Sequence, residues 1–316
     1  MSLFVPSSPS YEARIAGGLW GLLVGDAVGV PYEFCRPEVL PPLHALEMIP
    51  PAGFSRAHRE ILPGTWSDDG ALALALLASL LDCGELDLHD YAKRLVAWFD
   101  HGEYAVDRRV FDCGIQTGRA IQAMLTGTPA PTAGPTHENA NGNGSLMRVL
   151  PLALWHRGSD TELVRDAHLQ SLITHGHLRA QVCCALYCLW ARRLLDGVPD
   201  AWNEAVSGLR KIYSGNGDAS IELELHVLVD KSFTATGTGY VVDCLHSARM
   251  AVESGPYELA IKTAIALGWD TDTTACVTGG IAGIRDGVNA IPQRWRQGLR
   301  GKEIAAPLLA RLLMRS

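Results

Sequence analysis

An all-α fold in one compact domain is what this 316-residue sequence predicts. Three observations carry that expectation. Apolar residues recur at helical spacing along most of the chain. Alternating Val/Ile/Thr-rich runs bounded by hairpin turns are scarce. No low-complexity linker divides residues 1–316 into separate units, although 1–10 are expected to form a flexible N-terminal tail.

In chain order, helices are expected at Arg14–Gly25, Ala71–Leu81, Tyr91–Asp100, Arg109–Leu125, Leu146–Trp155, Leu178–Leu195, Tyr240–Glu253, Tyr257–Leu267, Thr274–Ile284 and Ala305–Met314. Two of them, "ALALALLASLL" and "ACVTGGIAGI", are apolar nearly all round. Such helices belong in the middle of a bundle, because an outer helix shows a polar face. The second is built from Ala and Gly, so neighbouring backbones can come close. Thr126–Ser145 and Tyr213–Ser220 are rich in Gly, Pro and Asn and read as loops. Loops that long in a compact domain are often functional.

Composition narrows the classes. A hydrophobic fraction of 47% and a charged fraction of 19% describe an ordinary globule with a substantial core. The net charge of −7 argues against a general nucleic-acid binder, which carries a basic face. An anionic small ligand stays open, since local backbone N–H groups can outweigh global charge. The eight cysteines include no C-x-x-C pair, and several lie in apolar helical patterns such as "QVCCALYCLWA". They read as reduced core residues in a reducing compartment. No basic region followed by an apolar stretch opens the chain, and no run reaches the roughly 18 apolar residues that span a bilayer. A soluble cytoplasmic protein with no membrane partner is the expectation.

Both all-apolar helices begin with the same chemistry. "GTWSDDGALALALL" sets Ser67, Asp68 and Asp69 before the first, and "GWDTDTT" sets Asp270, Asp272 and Thr273 before the second. A third acidic point follows the first helix at Asp26 and Glu33. Helix capping explains either cluster alone, contributing roughly 0.5–2 kcal/mol. One carboxylate suffices for a cap, however, and two beside buried apolar surface repel each other unless positive charge lies between them. The donors are all oxygen, which suits Mg²⁺, Mn²⁺ or Ca²⁺ over Zn²⁺. Glu33, Asp68, Asp69, Asp270 and Asp272, with hydroxyls from Ser67 and Thr273, suffice for two divalent ions. An EF-hand counted from Asp270 fails, because its sixth position is Ala275 and its twelfth Ile281.

The blocks "GLLVGDAVGVPYEF", "GTWSDDGALALAL", "VFDCGIQTGRAI", "NGNGSLMRVLPLAL", "THGHLRAQVCCAL", "GTGYVVDCLHSA" and "ALGWDTDTTACVTGGIAG", in this order from about Ile15 to Trp295, resemble the ADP-ribosylglycohydrolase family. The resemblance implies an all-α fold around a central dinuclear site holding two Mg²⁺ or Mn²⁺ ions. It implies ligand roles for Ser67, Asp68, Asp69, Asp270, Asp272 and Thr273, and a glutamate, Glu33, that closes over the metals. It implies ADP-ribose contacts from Asp112, Gly114, Asn143, Gly144, Ser145, Met147, Arg148, His175 and Tyr240. Ser67 stands where Thr is usual, Gly70 where Thr is common, and Trp269 where Gly is frequent. Trp269 either narrows the substrate cleft or fills core.

The residues themselves leave alternatives open. "NGNGS" before an apolar helix is a natural diphosphate cradle or simply a turn. Tyr240 is a stacking residue or a core tyrosine, and His175 and His177 without a zinc-type partner set read as core or capping histidines. The resemblance makes hydrolysis of the N-glycosidic bond joining ADP-ribose to a protein side chain the expected reaction. One of Asp68, Asp69 and Asp272 would take the proton of the attacking water. The family resemblance alone makes arginine the expected linkage, with serine-linked ADP-ribose and O-acetyl-ADP-ribose as alternatives. The expected partners are an ADP-ribosylated protein and a mono-ADP-ribosyltransferase or toxin whose modification is reversed. A dinuclear phosphoesterase, a non-catalytic ADP-ribose reader and a protein that blocks a transferase sterically are the rivals.

Overall fold

A computed structural model of the chain describes residues 8–229 and 233–315. Within them the helices run α1 (Tyr11–Gly29), α2 (Asp68–Cys83), α3 (Leu88–His101), α4 (Ile115–Leu125), α5 (Leu150–Trp155), α6 (Asp160–Leu172) and α7 (Leu178–Leu195). They continue as α8 (Ala201–Tyr213), α9 (Gly217–Glu222), α10 (Val241–Glu253), α11 (Tyr257–Ala266), α12 (Thr271–Asp286), α13 (Gln293–Gly298) and α14 (Lys302–Leu313). No strand occurs among the described residues, and the only bridge pairs Gly142 with Tyr240 antiparallel. The fold is all-α and forms a single compact domain.

The centre is α1 against α12, two helices that approach to backbone contact. A Cβ placed on Gly21 would sit 2.3 Å from the carbonyl oxygen of Gly279, and one on Gly279 would sit 2.2 Å from that of Gly21. Glycine is therefore required on both sides of the crossing. Around this pair, α12 also touches α7, α10 and α11. α2 is buried from Asp68 to Leu80 and packs on α3, α5 and α14. Ser67 caps it by accepting from the Asp69 N–H at 3.2 Å, and Gly84 ends it in the left-handed region. The tertiary packing thus sends the N-termini of α2 and α12, and the segment that follows α1, to one end of the bundle.

Several expectations change. Residues 109–114 are not helical, and α4 starts only at Ile115, because Asp112 takes a left-handed φ of 55°. Leu146–Arg148 are turns, Val149 is irregular, and α5 is confined to Leu150–Trp155 with Pro151 in its first turn. Part of the loop expected at Tyr213–Ser220 is α9, capped by Asn216. Three helices went unread, α6, α8 and the short α13. α6 opens on a capping box between Ser159 and Glu162, and α8 buries Trp202, Ala205, Val206, Leu209 and Tyr213. Of the expected N-terminal tail, residues 1–7 lie outside the described residues, while Ser10 caps α1. One segment, Tyr11–Tyr32, is long and apolar enough to cross a membrane, contrary to the expectation that none was; its apolar window is 78% buried, as befits a core helix. The eight cysteines are free thiols, and Cys183, Cys184, Cys188, Cys244 and Cys276 are buried.

Candidate active site

Where these helix ends meet lies a cavity of about 720 Å³, a size usual for small-molecule sites. Its floor is acidic. Asp68 and Asp69 come from the first turn of α2, Asp270 and Thr273 from the start of α12, and Glu33 from the turn after α1. Asp112 joins them from the bend before α4. Asp272 lies beneath, fully buried, with one carboxylate oxygen within 4.8 Å of one each from Glu33 and Asp270.

The charges in this floor are poorly compensated. Burial, reinforced by neighbouring carboxylates, raises Asp68, Asp69 and Asp272 well above the usual range. Burial also raises Asp270, against the pull of the Asn143 amide, which donates to its Oδ2 at 2.8 Å. Glu33 is pushed up to about 8 by burial, although His58 Nε2 lies 2.6 Å from its Oε2. That hydrogen bond, in turn, raises His58. Neither oxygen of Asp272, nor Oδ2 of Asp69, has a hydrogen-bond partner among the described residues. Buried carboxylates without partners are costly, and a hard cation is what oxygen donors of this kind accept. The donors present therefore fit a metal ion.

Asp26 differs from the others. It is buried on α1 and accepts from the Ser67 N–H at 2.9 and 3.1 Å and from the Gly70 N–H at 2.8 Å. Burial raises it to about 7 while these N–H groups oppose the rise. It thus ties the start of α2 to α1 as a structural cap. The segment containing Ser67, Asp68 and Asp69 is pinned by it.

The opposite wall is made of loops brought together over long sequence distances. Asn143 N–H donates to the Gly239 carbonyl at 3.0 Å and Val241 N–H to the Asn141 carbonyl at 2.9 Å. The "NGNGS" and "GTGY" blocks are therefore one wall. Gly114, Asn143, Gly144, Met147 and His175 line the cavity. Burial, with the Arg148 charge adding, lowers His175 to about 3, and its Nδ1 meets the Thr174 hydroxyl at 2.8 Å. Two expected contacts turn inward instead. Ser145 Oγ accepts from Ser171 Oγ at 2.9 Å, and Arg148 donates to Gln170 while covering the Tyr91 ring. They hold the loop from behind. Tyr240 faces an adjoining cavity of about 490 Å³, its hydroxyl 3.3 Å from Arg179 Nη1. Ser67 is buried and serves as the α2 cap.

Sequence reasoning missed several lining residues. Gln116 accepts from the Gly142 N–H at 2.8 Å, and Thr117, Thr238 and Gly239 also face the cavity. Each sits inside or beside a block already singled out, which was the available signal. Phe34, Ile115 and Trp269 complete the rim. Phe34 (φ 60°), His58 (φ 44°), Asp112 (φ 55°) and Trp269 (φ 60°) all adopt the left-handed conformation around this site. Strain of this kind in non-glycine residues concentrates at functional sites.

An all-α bundle with a small-molecule cavity over a floor of clustered carboxylates defines a class of protein that can hold a cation beside its ligand. The chain belongs to the ADP-ribosylglycohydrolase family, whose sequence profile matches residues 7–316. It is 30% identical to the ADP-ribosylarginine hydrolase Tri1 of Serratia proteamaculans (strain 568), over 98% of this chain and 81% of that protein. It is 27% identical to the ADP-ribosyl-[dinitrogen reductase] glycohydrolase of Rhodospirillum rubrum, over 92% and 91% of the two chains. A solved structure described as an ADP-ribosylglycohydrolase-related protein complex superposes with a TM-score of 0.74 at 27% identity, covering 97% of this chain and 99% of that one. The chain is thus an ADP-ribosylglycohydrolase, an enzyme acting on a glycosidic bond to ADP-ribose.

Proposed function

We propose that this enzyme is a divalent-cation-dependent hydrolase that removes ADP-ribose from arginine side chains of modified proteins, reversing mono-ADP-ribosylation. The observation that carries the metal dependence is the Asp272 carboxylate, fully buried, without a hydrogen-bond partner and clustered with Glu33 and Asp270. The arginine linkage is supported by the 30% identity to a protein named as an ADP-ribosylarginine hydrolase.

Ser67, Asp68, Asp69, Asp270, Asp272 and Thr273 would hold the cations, two ions of the Mg²⁺ or Mn²⁺ kind. When bound, these ions supply positive charge that orients ligand hydroxyls and favours an ionised nucleophile. The protein's own residues do the remaining work. Asp26 fixes the Ser67–Gly70 backbone, and Asn143 fixes Asp270, so the carboxylate oxygens are held before ligand arrives. A carboxylate of Asp68, Asp69 or Asp272 accepts the proton of the water that attacks the anomeric carbon. Asp112, Gly114, Asn143, Gly144, Met147 and His175 bind the ADP-ribose, with Ser145 and Arg148 bracing their loop and Tyr240 beside its outer end. Neutral His175 offers a ring nitrogen as donor or acceptor without adding charge. Glu33, already shared with His58, closes the floor.

The test is release of free ADP-ribose from arginine-linked and serine-linked ADP-ribosyl peptides, followed by chromatography. Release from the arginine peptide, abolished by chelator and restored by Mg²⁺ or Mn²⁺, is expected. An arginine peptide left intact with metal present would refute the reading.

A further inference from the structure

We infer that Phe34 and Trp269 form an aromatic seat for the leaving group, the planar guanidinium cation of the modified arginine. The inference rests on the proposed arginine linkage. Both residues line the cavity, yet Phe34 is 68% and Trp269 41% exposed, so large apolar rings are presented to solvent at its mouth. Their backbones are locked together: Phe34 N–H donates to the Trp269 carbonyl at 2.7 Å, and Trp269 N–H to the Cys35 carbonyl at 2.7 Å. Both are left-handed at φ 60°, a conformation that suits glycine and penalises bulky residues. Two adjacent aromatics are thus kept exposed and strained where glycine would relieve the strain. Packing accounts for only part of this: Phe34 buries little beyond its contact with the His58 ring, centroids 5.7 Å apart, and Trp269 keeps 41% of its surface exposed.

Position selects the occupant. Phe34 follows Glu33 and Trp269 precedes Asp270, so the rings adjoin the carboxylate floor where the glycosidic bond must lie. The loops of Gly142–Gly144 and His175 form another wall. A substrate arginine remains attached to its protein, and its side chain therefore has to enter from the open, solvent-facing rim. Aromatic faces beside carboxylates are complementary to a flat cation: the rings stack on the guanidinium plane, and the acids supply attraction. A serine leaving group has neither the plane nor the charge, and an acetyl group, though planar, carries no positive charge.

The experiment uses the full-length, metal-loaded enzyme with Trp269→Gly, Phe34→Ala and Trp269→Tyr. Calorimetry compares free ADP-ribose with a non-cleavable amidinium analogue of ADP-ribosyl-arginine, in which a methylene replaces the glycosidic nitrogen. Trp269→Gly and Phe34→Ala are expected to weaken analogue binding by about tenfold while changing ADP-ribose binding less than twofold. Trp269→Tyr should retain most of the preference. Equal losses for both ligands, or no loss for the analogue, would overturn the aromatic seat. Turnover of the arginine peptide by the wild type is measured alongside. Its absence would sink the hydrolase reading, whereas the selective loss on the analogue would still support the seat.

Discussion

Substituting Gly21 by Ala tests whether the α1–α12 crossing sets the geometry of the site. The added methyl would lie 2.3 Å from the Gly279 carbonyl oxygen and 3.1 Å from the Tyr257 ring. Ordinary contact needs a helix separation larger by about 1 Å. The obstacle is backbone and cannot rotate away, so the overpacking cost belongs near the upper end of the usual range, about 3 kcal/mol. Alanine's better helix propensity offsets about 1 kcal/mol of this. The net destabilisation is about 2 kcal/mol, or about 4 °C in Tm for a chain of this size. The same displacement moves Asp272 on α12 relative to Glu33 after α1, and misplacement of about 1 Å costs roughly 10²-fold in rate. The assay pairs urea unfolding with kcat for ADP-ribose release, and circular dichroism verifies helicity. Gly215→Ala, where an added methyl meets nothing within 4 Å, is the control. Wild-type stability and rate in Gly21→Ala would refute the argument that this crossing is at its steric limit.

Other outcomes follow from individual side chains. Asp26→Asn leaves one oxygen, which at the Oδ2 position can still accept from both the Ser67 and Gly70 N–H groups, but puts an NH₂ donor against the Ser67 N–H where Oδ1 accepted at 2.9 Å; about 2 kcal/mol of stability should be lost by urea denaturation, along with most activity. Asp272→Asn replaces a buried carboxyl that has no hydrogen-bond partner by a neutral amide of the same shape, so in chelator its Tm should equal or exceed the wild type's. Added Mn²⁺ should stabilise the wild type by about 2.7 kcal/mol at a hundred times Kd and the variant far less; equal stabilisation of both would contradict a ligand role. His175 is held down to about 3 in the folded state, so the unfolded chain binds its proton first as pH falls below about 6.5. Its contribution is whole above 6.5 and drains towards pH 3 at about 1.4 kcal/mol per pH unit. His175→Asn should remove that part of the slope in urea titrations run from pH 7 to pH 4.

The all-helical architecture was legible because the apolar spacing of α2, α7 and α12 is long and regular. The boundaries were less so. Residues 109–114 carry a helical pattern, but the left-handed bend at Asp112 stops it, and no neighbouring residue announces that bend. α8 was readable in principle, since Trp202, Ala205, Val206, Leu209 and Tyr213 fall at helical intervals. The acidic floor was visible as two pairs of carboxylates at helix starts. His58 was not, because it lies in an irregular segment and meets Glu33 only through the folded chain.

By itself the sequence determined the composition of the site and its likeness to a family, because hydroxyl–carboxylate clusters and glycine blocks are local chemistry that survives as a linear pattern. Tertiary structure alone decided which of those residues share a space. The glycine contact of α1 with α12 brings Glu33 beside Asp270 and Asp272, while Asp26 reaches across to hold the start of α2. It also separated Asn143 and His175, which face the cavity, from Ser145 and Arg148, which turn into the core. The physical reason is that backbone hydrogen bonds and packing between distant segments fix side-chain direction, and neither is encoded in the order of residues along one stretch.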